Sequence, residues 1–154
     1  VITSAVVLVL DQATKFYIDG RFNLGESLTV LEHFFNITYV RNKGAAFGIL
    51  ADSNLRIPFF ITVSVLAALG ILWYMHRLRE DQRLLHFSLA LIFSGAAGNL
   101  IDRIRLGEVI DFLDFYWYQY HWPAFNVADS AITIGVGILL VNLWLEERKR
   151  KRLH

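Results

Sequence analysis

Five aspartates lie within or beside apolar stretches of this chain, where an ionisable group is costly and is by default a functional candidate: Asp11, Asp102, Asp111, Asp114 and Asp129. Asp111 sits in Gly107-Glu108-Val109-Ile110-Asp111-Phe112, and Asp129 in Phe125-Asn126-Val127-Ala128-Asp129-Ser130. Two carboxylates held a few ångströms apart cannot both ionise, so one keeps a proton while the other can activate a water. That is the chemistry of an aspartic peptidase. Each acid also has a plain structural reading. Asn126 three residues before Asp129 is the pattern of an ordinary capped helix N-terminus, which local sequence alone favours. Asp111 in isolation reads as a solvated loop acid, and Asp114 in the same loop competes with it. Asp11 and Lys15 stand at i and i+4 with the acid first, the spacing of an intrahelical ion pair. Asp102-Arg103 closes an apolar run and reads as a structural pair or a headgroup contact. Asn99, one turn before Asp102, suggests a hydrogen-bonded polar corner.

Other catalytic schemes find no support. The five histidines, His33, His76, His86, His121 and His154, lack metal-ligand spacing, and there is no His-Glu-x-x-His helix. No Gly-x-Ser-x-Gly elbow or phosphate-binding glycine loop occurs. Cysteine is absent, which excludes a thiol nucleophile, a disulfide framework and a thiolate metal site. The expectation is a catalyst with no metal and no other cofactor.

The elements that must position these acids are membrane spans. Of the 154 residues 55% are hydrophobic and only 19% charged, too apolar for a soluble globule of this length. A net charge of +1 argues against a uniformly basic nucleic-acid binder. A spanning helix needs about 20 apolar residues. Residues 57–76, 84–103 and 126–145 meet this. A shorter run, 1–18, starts at Val1 without a basic leader and is expected to be the end of a clipped first helix. The chain is thus expected to be one integral-membrane domain over 1–154, an all-α membrane core of four transmembrane helices. Ser94-Gly95-Ala96-Ala97-Gly98 marks close helix packing.

Arg77, Arg79 and Arg83 lie between the second and third spans, and Arg148, Lys149, Arg150, Lys151 and Arg152 follow the fourth. Positive residues stay in the cytoplasm, so both termini are expected there and the two longer connections outside. Arg21, Arg41, Lys43, Arg56, Arg103 and Arg105 on the outer side dilute the rule without reversing it. The first outer connection, rich in β-branched and aromatic residues over 28–40, reads as one or two strands at the membrane surface within an outer β region of about 22–50. The second carries Phe115, Tyr116, Trp117, Tyr118, Tyr120, Trp122 and Phe125, the composition of an interfacial aromatic belt.

Taken in order, Leu10-Asp11-Gln12 with Lys15, Arg41-Asn42-Lys43-Gly44-Ala45-Ala46-Phe47-Gly48, Gly98-Asn99-Leu100-Ile101-Asp102-Arg103, Val109-Ile110-Asp111-Phe112 and Phe125-Asn126-Val127-Ala128-Asp129-Ser130 resemble the successive motifs of the lipoprotein signal peptidases, or signal peptidase II family. The resemblance spans nearly the whole chain. The family often has paired glycines where this chain has Gly95-Ala96, a small-for-small change. The resemblance implies an integral enzyme of the bacterial cytoplasmic (inner) membrane, and a monomer is expected. It would remove signal peptides from prolipoproteins, cutting before a diacylglyceryl-modified cysteine. By the same resemblance Asp111 and Asp129 are the catalytic pair. Asn42, Gly44, Asn99, Arg103 and Asn126 shape or line the site, and Asp11, Lys15 and Asp102 are structural near it. The outer strands would form a small β-sheet platform between helices 1 and 2, and residues 44–50 part of a substrate-covering segment. Membrane lipids and lipidated prolipoproteins are the implied partners, with no nucleic acid.

Two rival readings make other demands. A proton-coupled transporter would place acids near mid-membrane and commonly break or repeat its helices, whereas here the acids cluster towards one face. A non-catalytic assembly factor would use Asp11, Lys15 and the small-residue helix, and leaves the placement of Asp111 and Asp129 unexplained.

Overall fold

The computed structural model describes residues 2–44 and 54–152. Of the proposed covering segment, Ala45 to Leu50 lie outside these residues, as does His154. Four helices carry the architecture: α1 (Ile2–Arg21), α2 (Arg56–Arg77), α3 (Arg83–Leu106) and α4 (Val127–Arg152). Between them lie β1 (Ser27–Leu31), β2 (Phe35–Asn42), β3 (Val109–Trp117) and β4 (Tyr120–His121), joined in one antiparallel sheet of order β1-β2-β3-β4.

Helix α3 touches each of the other three helices and β3, and so forms the centre of the bundle. Its small residues explain why. A Cβ on Gly95 would run into the backbone carbonyl of Ala128, and one on Gly98 into the Asp11 carboxylate. From the other side, a Cβ on Gly135 of α4 would come within 2.7 Å of the Ser88 carbonyl. Between helices that lipid does not drive together, such close backbone approach supplies the packing. Helix α2 buries none of its residues. Among the described residues three helices, α2, α3 and α4, are long and apolar enough to cross a membrane. Helix α1 has the length, 20 residues, but carries Asp11, Lys15, Asp19 and Arg21.

One expectation is corrected here. Asp111 and Asp114 do not lie in a loop: both are on β3, which pairs with β2 through Val40↔Asp111 and Asn36↔Asp114. The sheet is therefore built from both connections, not from the first alone. Successive residues of a strand point to opposite faces, so acids three apart face opposite ways. Ile110 and Phe112, on the Asp114 side, join Ile18 and Tyr39 in a small apolar core beneath the sheet. Gly107, in the left-handed conformation at φ 71°, ends α3 and turns the chain directly into β3.

Candidate active site

The carboxylates of Asp111 and Asp129 both bond one residue, Asn126. Asn126 is the N-cap of α4: its Oδ1 accepts from the Asp129 backbone N–H at 2.9 Å, while Asp129 Oδ2 accepts from the Asn126 N–H at 3.3 Å. This is a reciprocal capping box. The same Asn126 donates from Nδ2 to Asp111 Oδ1 at 2.7 Å, and to the Ile110 carbonyl at 3.1 Å. The capping reading and the site reading of this motif thus describe one arrangement.

Two further carboxamides complete it. Asn42, at the end of β2, donates to Asp111 Oδ2 at 2.9 Å. Its Oδ1 is held by the Gly44 N–H at 2.8 Å, and Gly44 makes that turn at φ 83°. Asn99 donates to Asp129 Oδ1 at 2.7 Å, and its Oδ1 takes Lys15 Nζ at 2.9 Å. Each amide is oriented by a donor on its oxygen, which leaves its nitrogen to face a carboxylate.

Behind this pair lies a buried ion cluster. Lys15 is fully buried and spends its three protons on Asp11 at 2.9 Å, Asp102 at 3.0 Å and Asn99. Asp11 in turn accepts from the Ala128 N–H at the start of α4, and Asp102 from the Ile110 N–H at the start of β3. The expected pairing of Asp102 with Arg103 is not what forms. Adjacent helix residues do not face one another. Asp102 turns to Lys15, while the Arg103 guanidinium lies 5.3 Å from the Phe60 ring of α2 and bonds the Asn99 carbonyl at 3.4 Å. Arg103 still interacts electrostatically with Asp129, Asp102 and Asp111. Gln12 had no role assigned from sequence, yet its amide reaches Asp11 at 3.1 Å, the Gly98 carbonyl at 3.2 Å and Asp102 at 3.3 Å. Its place one residue after Asp11 in the first motif was the available signal.

Asp111 is only 2% exposed, and its pKa is pushed up to about 7. Burial is the main cause, reinforced by the Asp129 charge. Hydrogen bonds from Asn42 and Asn126 and the Lys15 charge pull the other way without prevailing. A carboxyl near neutrality beside a second carboxyl is suited to general acid and base exchange. Asp129 also opens onto an apolar groove of about 590 Å³ that runs between residues 122–125 and the first turns of α4. Asp114, on the other face of β3, accepts from Asn36 Nδ2 at 2.9 Å and contacts His121 Nδ1 at 2.8 Å.

Fold and site together define a helical membrane protein with two coupled aspartates at one end of its bundle. The signal peptidase (SPase) II family model matches residues 3–145. A lipoprotein signal peptidase of Geobacter sulfurreducens is 60% identical over 152 residues, covering 97% of this chain and 95% of its own length. That of Haemophilus ducreyi is 43% identical, covering 96% and 91%. A solved bacterial membrane enzyme superposes with a TM-score of 0.85 at 34% identity, covering 95% of this chain and 87% of that one. The chain belongs to the signal peptidase II family and is a multi-pass membrane protein.

Proposed function

We propose that this chain is a membrane aspartyl endopeptidase that removes signal peptides from prolipoproteins, cutting before a diacylglyceryl-modified cysteine, with Asp111 and Asp129 as the catalytic pair. The observation that carries the reading is the shared Asn126, whose Nδ2 holds the Asp111 carboxylate and whose backbone N–H holds that of Asp129, while Asp111 is buried with its pKa pushed up to about 7. The names of the relatives supply the substrate class.

In this mechanism Asp111 begins protonated and Asp129 ionised. Asp129 takes a proton from a water as its oxygen bonds to the scissile carbonyl carbon, and Asp111 gives its proton to the carbonyl oxygen. Collapse of the tetrahedral diol breaks the C–N bond. Asp129 returns its proton to the leaving amine and Asp111 recovers one from a hydroxyl. Asn99 and Asn126 hold Asp129 with its charge towards the water, and no metal or other cofactor enters. The groove leading to Asp129 suits an apolar segment of substrate.

All four helices span the bacterial inner membrane in this reading, α1 included, as a single domain acting as a monomer. The end of α2 at Arg77, the start of α3 at Arg83 and the end of α4 at Arg148 to Arg152 are cytoplasmic with both termini, and the sheet and the aspartates lie at the outer face. Trp117, Tyr118, Tyr120 and Trp122, all well exposed, lie at that interface. Asn42, Gly44 and Arg103 border the substrate.

The test is isosteric exchange. Asp111→Asn and Asp129→Asn should each lower cleavage of a diacylated prolipoprotein in detergent or bilayer by about 10²–10⁴-fold or more, with the folded protein retained. A folded Asp129→Asn protein cleaving at near the wild-type rate would overturn the assignment.

A further inference from the structure

At the end of the bundle away from the aspartates, the start of α1, the end of α2 and the start of α3 enclose a cleft of about 420 Å³. It is lined by Thr3, Met75, Glu80, Arg83, His86 and Phe87, among others. Its cation is uncommitted. Asp81, the nearby acid of the α2–α3 turn, is taken by Arg79 at 3.4 Å, and Arg83 has no ion-pair or hydrogen-bonding side-chain partner among the described residues. Arg77 adds a second cation beside the turn, its guanidinium 5.4 Å from the Trp73 ring. The basic run Arg148 to Arg152 closes α4 at the same end.

The cleft's other wall is apolar and faces outward. Phe87 is 43% exposed, and α2, which supplies Met75, buries none of its residues, so these surfaces meet lipid in a multi-pass protein. We propose that this cleft binds an anionic glycerophospholipid, its phosphodiester on Arg83 and the Thr3 hydroxyl and its acyl chains along Met75 and Phe87. Charge complementarity selects an anion, and the apolar wall selects a lipid over a free phosphate, which would leave Met75 and Phe87 unused. Glu80 at the lip opposes the phosphodiester and limits affinity. The site is remote from the proposed catalytic pair and stands or falls independently of it.

The experiment is thermal unfolding of the full chain in detergent, titrated with phosphatidylglycerol, with phosphatidylcholine and with inorganic phosphate. Phosphatidylglycerol should raise the midpoint, and the other two should not do so comparably. Arg83→Gln should weaken the phosphatidylglycerol response about fivefold, the effect of one cation at an anionic lipid surface. Glu80→Gln should strengthen it by a similar factor. An equal response to phosphatidylcholine, a response reproduced by inorganic phosphate, or an unchanged titration in Arg83→Gln would each overturn the site. Where Arg83→Gln does not fold, Glu80→Gln decides, and an unchanged or weaker response there overturns it.

Discussion

Two groups of buried acids sit side by side at one end of this bundle, and their partners differ. Asp11 and Asp102 are fully buried and share the Lys15 ammonium; Asp11 also accepts from a backbone N–H of α4, and Asp102 from one of β3 and from the Gln12 amide. Asp111 is almost as buried, but among the described residues its carboxylate accepts hydrogen bonds only from neutral carboxamides. Burial alone therefore does not make an acid reactive. Asp11 and Asp102 meet a cation at contact distance, whereas Asp111 is held by neutral amides and burial pushes its pKa up to about 7. The first group builds the frame, and the second is free to exchange protons.

The largest way to break this contrast is Lys15→Met. It leaves Asp11 and Asp102 buried without their counter-charge, and Asn99 Oδ1 with the Asn126 amide in place of two donors. Removing one partner of a buried pair costs about 3–5 kcal/mol. The expected outcome is a large fall in the thermal midpoint in detergent, and little folded protein. A Lys15→Met protein with wild-type stability would mean that the cluster does not join α1, α3 and α4 as described.

A smaller effect sharpens the other half of the contrast. If Asp111 must carry a proton, kcat/KM falls as pH rises through about 7, because the ionised form then dominates in the free enzyme. Asn42 stabilises that ionised form by donating to Oδ2. Asn42→Ala removes this stabilisation, so the alkaline limb should move to higher pH even where the maximal rate falls. A limb that moves to lower pH, or an activity independent of pH between 6 and 9, would count against a protonated Asp111.

Much of this was readable from sequence, for identifiable reasons. Ordered motifs brought forward Asp11, Lys15, Asn42, Asn99, Asp102, Asp111, Asn126 and Asp129, and apolar runs marked α2, α3 and α4. Strand β3 was not recognised. Val109-Ile110-Asp111-Phe112-Leu113 is buried at nearly every position, so it lacks the alternation of a half-buried strand, and its partner β2 lies about seventy residues earlier. The partner of Asp102 was missed for a related reason. Proximity in sequence pointed to Arg103, while the helix turn directs Asp102 across the bundle to Lys15. Long-range partners of this kind emerge only when the helices are packed.

The smallest expected effect belongs to the acid on the far face of β3. Asp114 is buried like Asp111, but it points away from the Asn126 network and meets Asn36 and His121 instead. Asp114→Asn removes a charge while keeping the shape. The new amide oxygen can still accept from His121 Nδ1–H. Its nitrogen can donate to Asn36 once the Asn36 amide turns over, which satisfies Asn36 Oδ1, now a buried oxygen without a partner. Asn36 Nδ2 would then lack its acceptor, so the number of unpaired groups does not change. The cost should be about 1 kcal/mol of stability, the scale of one hydrogen bond. Cleavage should stay within about twofold of wild type, because acid–base catalysis requires a group within hydrogen-bond reach of the reacting atoms. Measured beside Asp111→Asn on the same diacylated substrate, this variant separates burial from proton transfer. A loss in Asp114→Asn as deep as that in Asp111→Asn would move the catalytic acid to the other face of the strand.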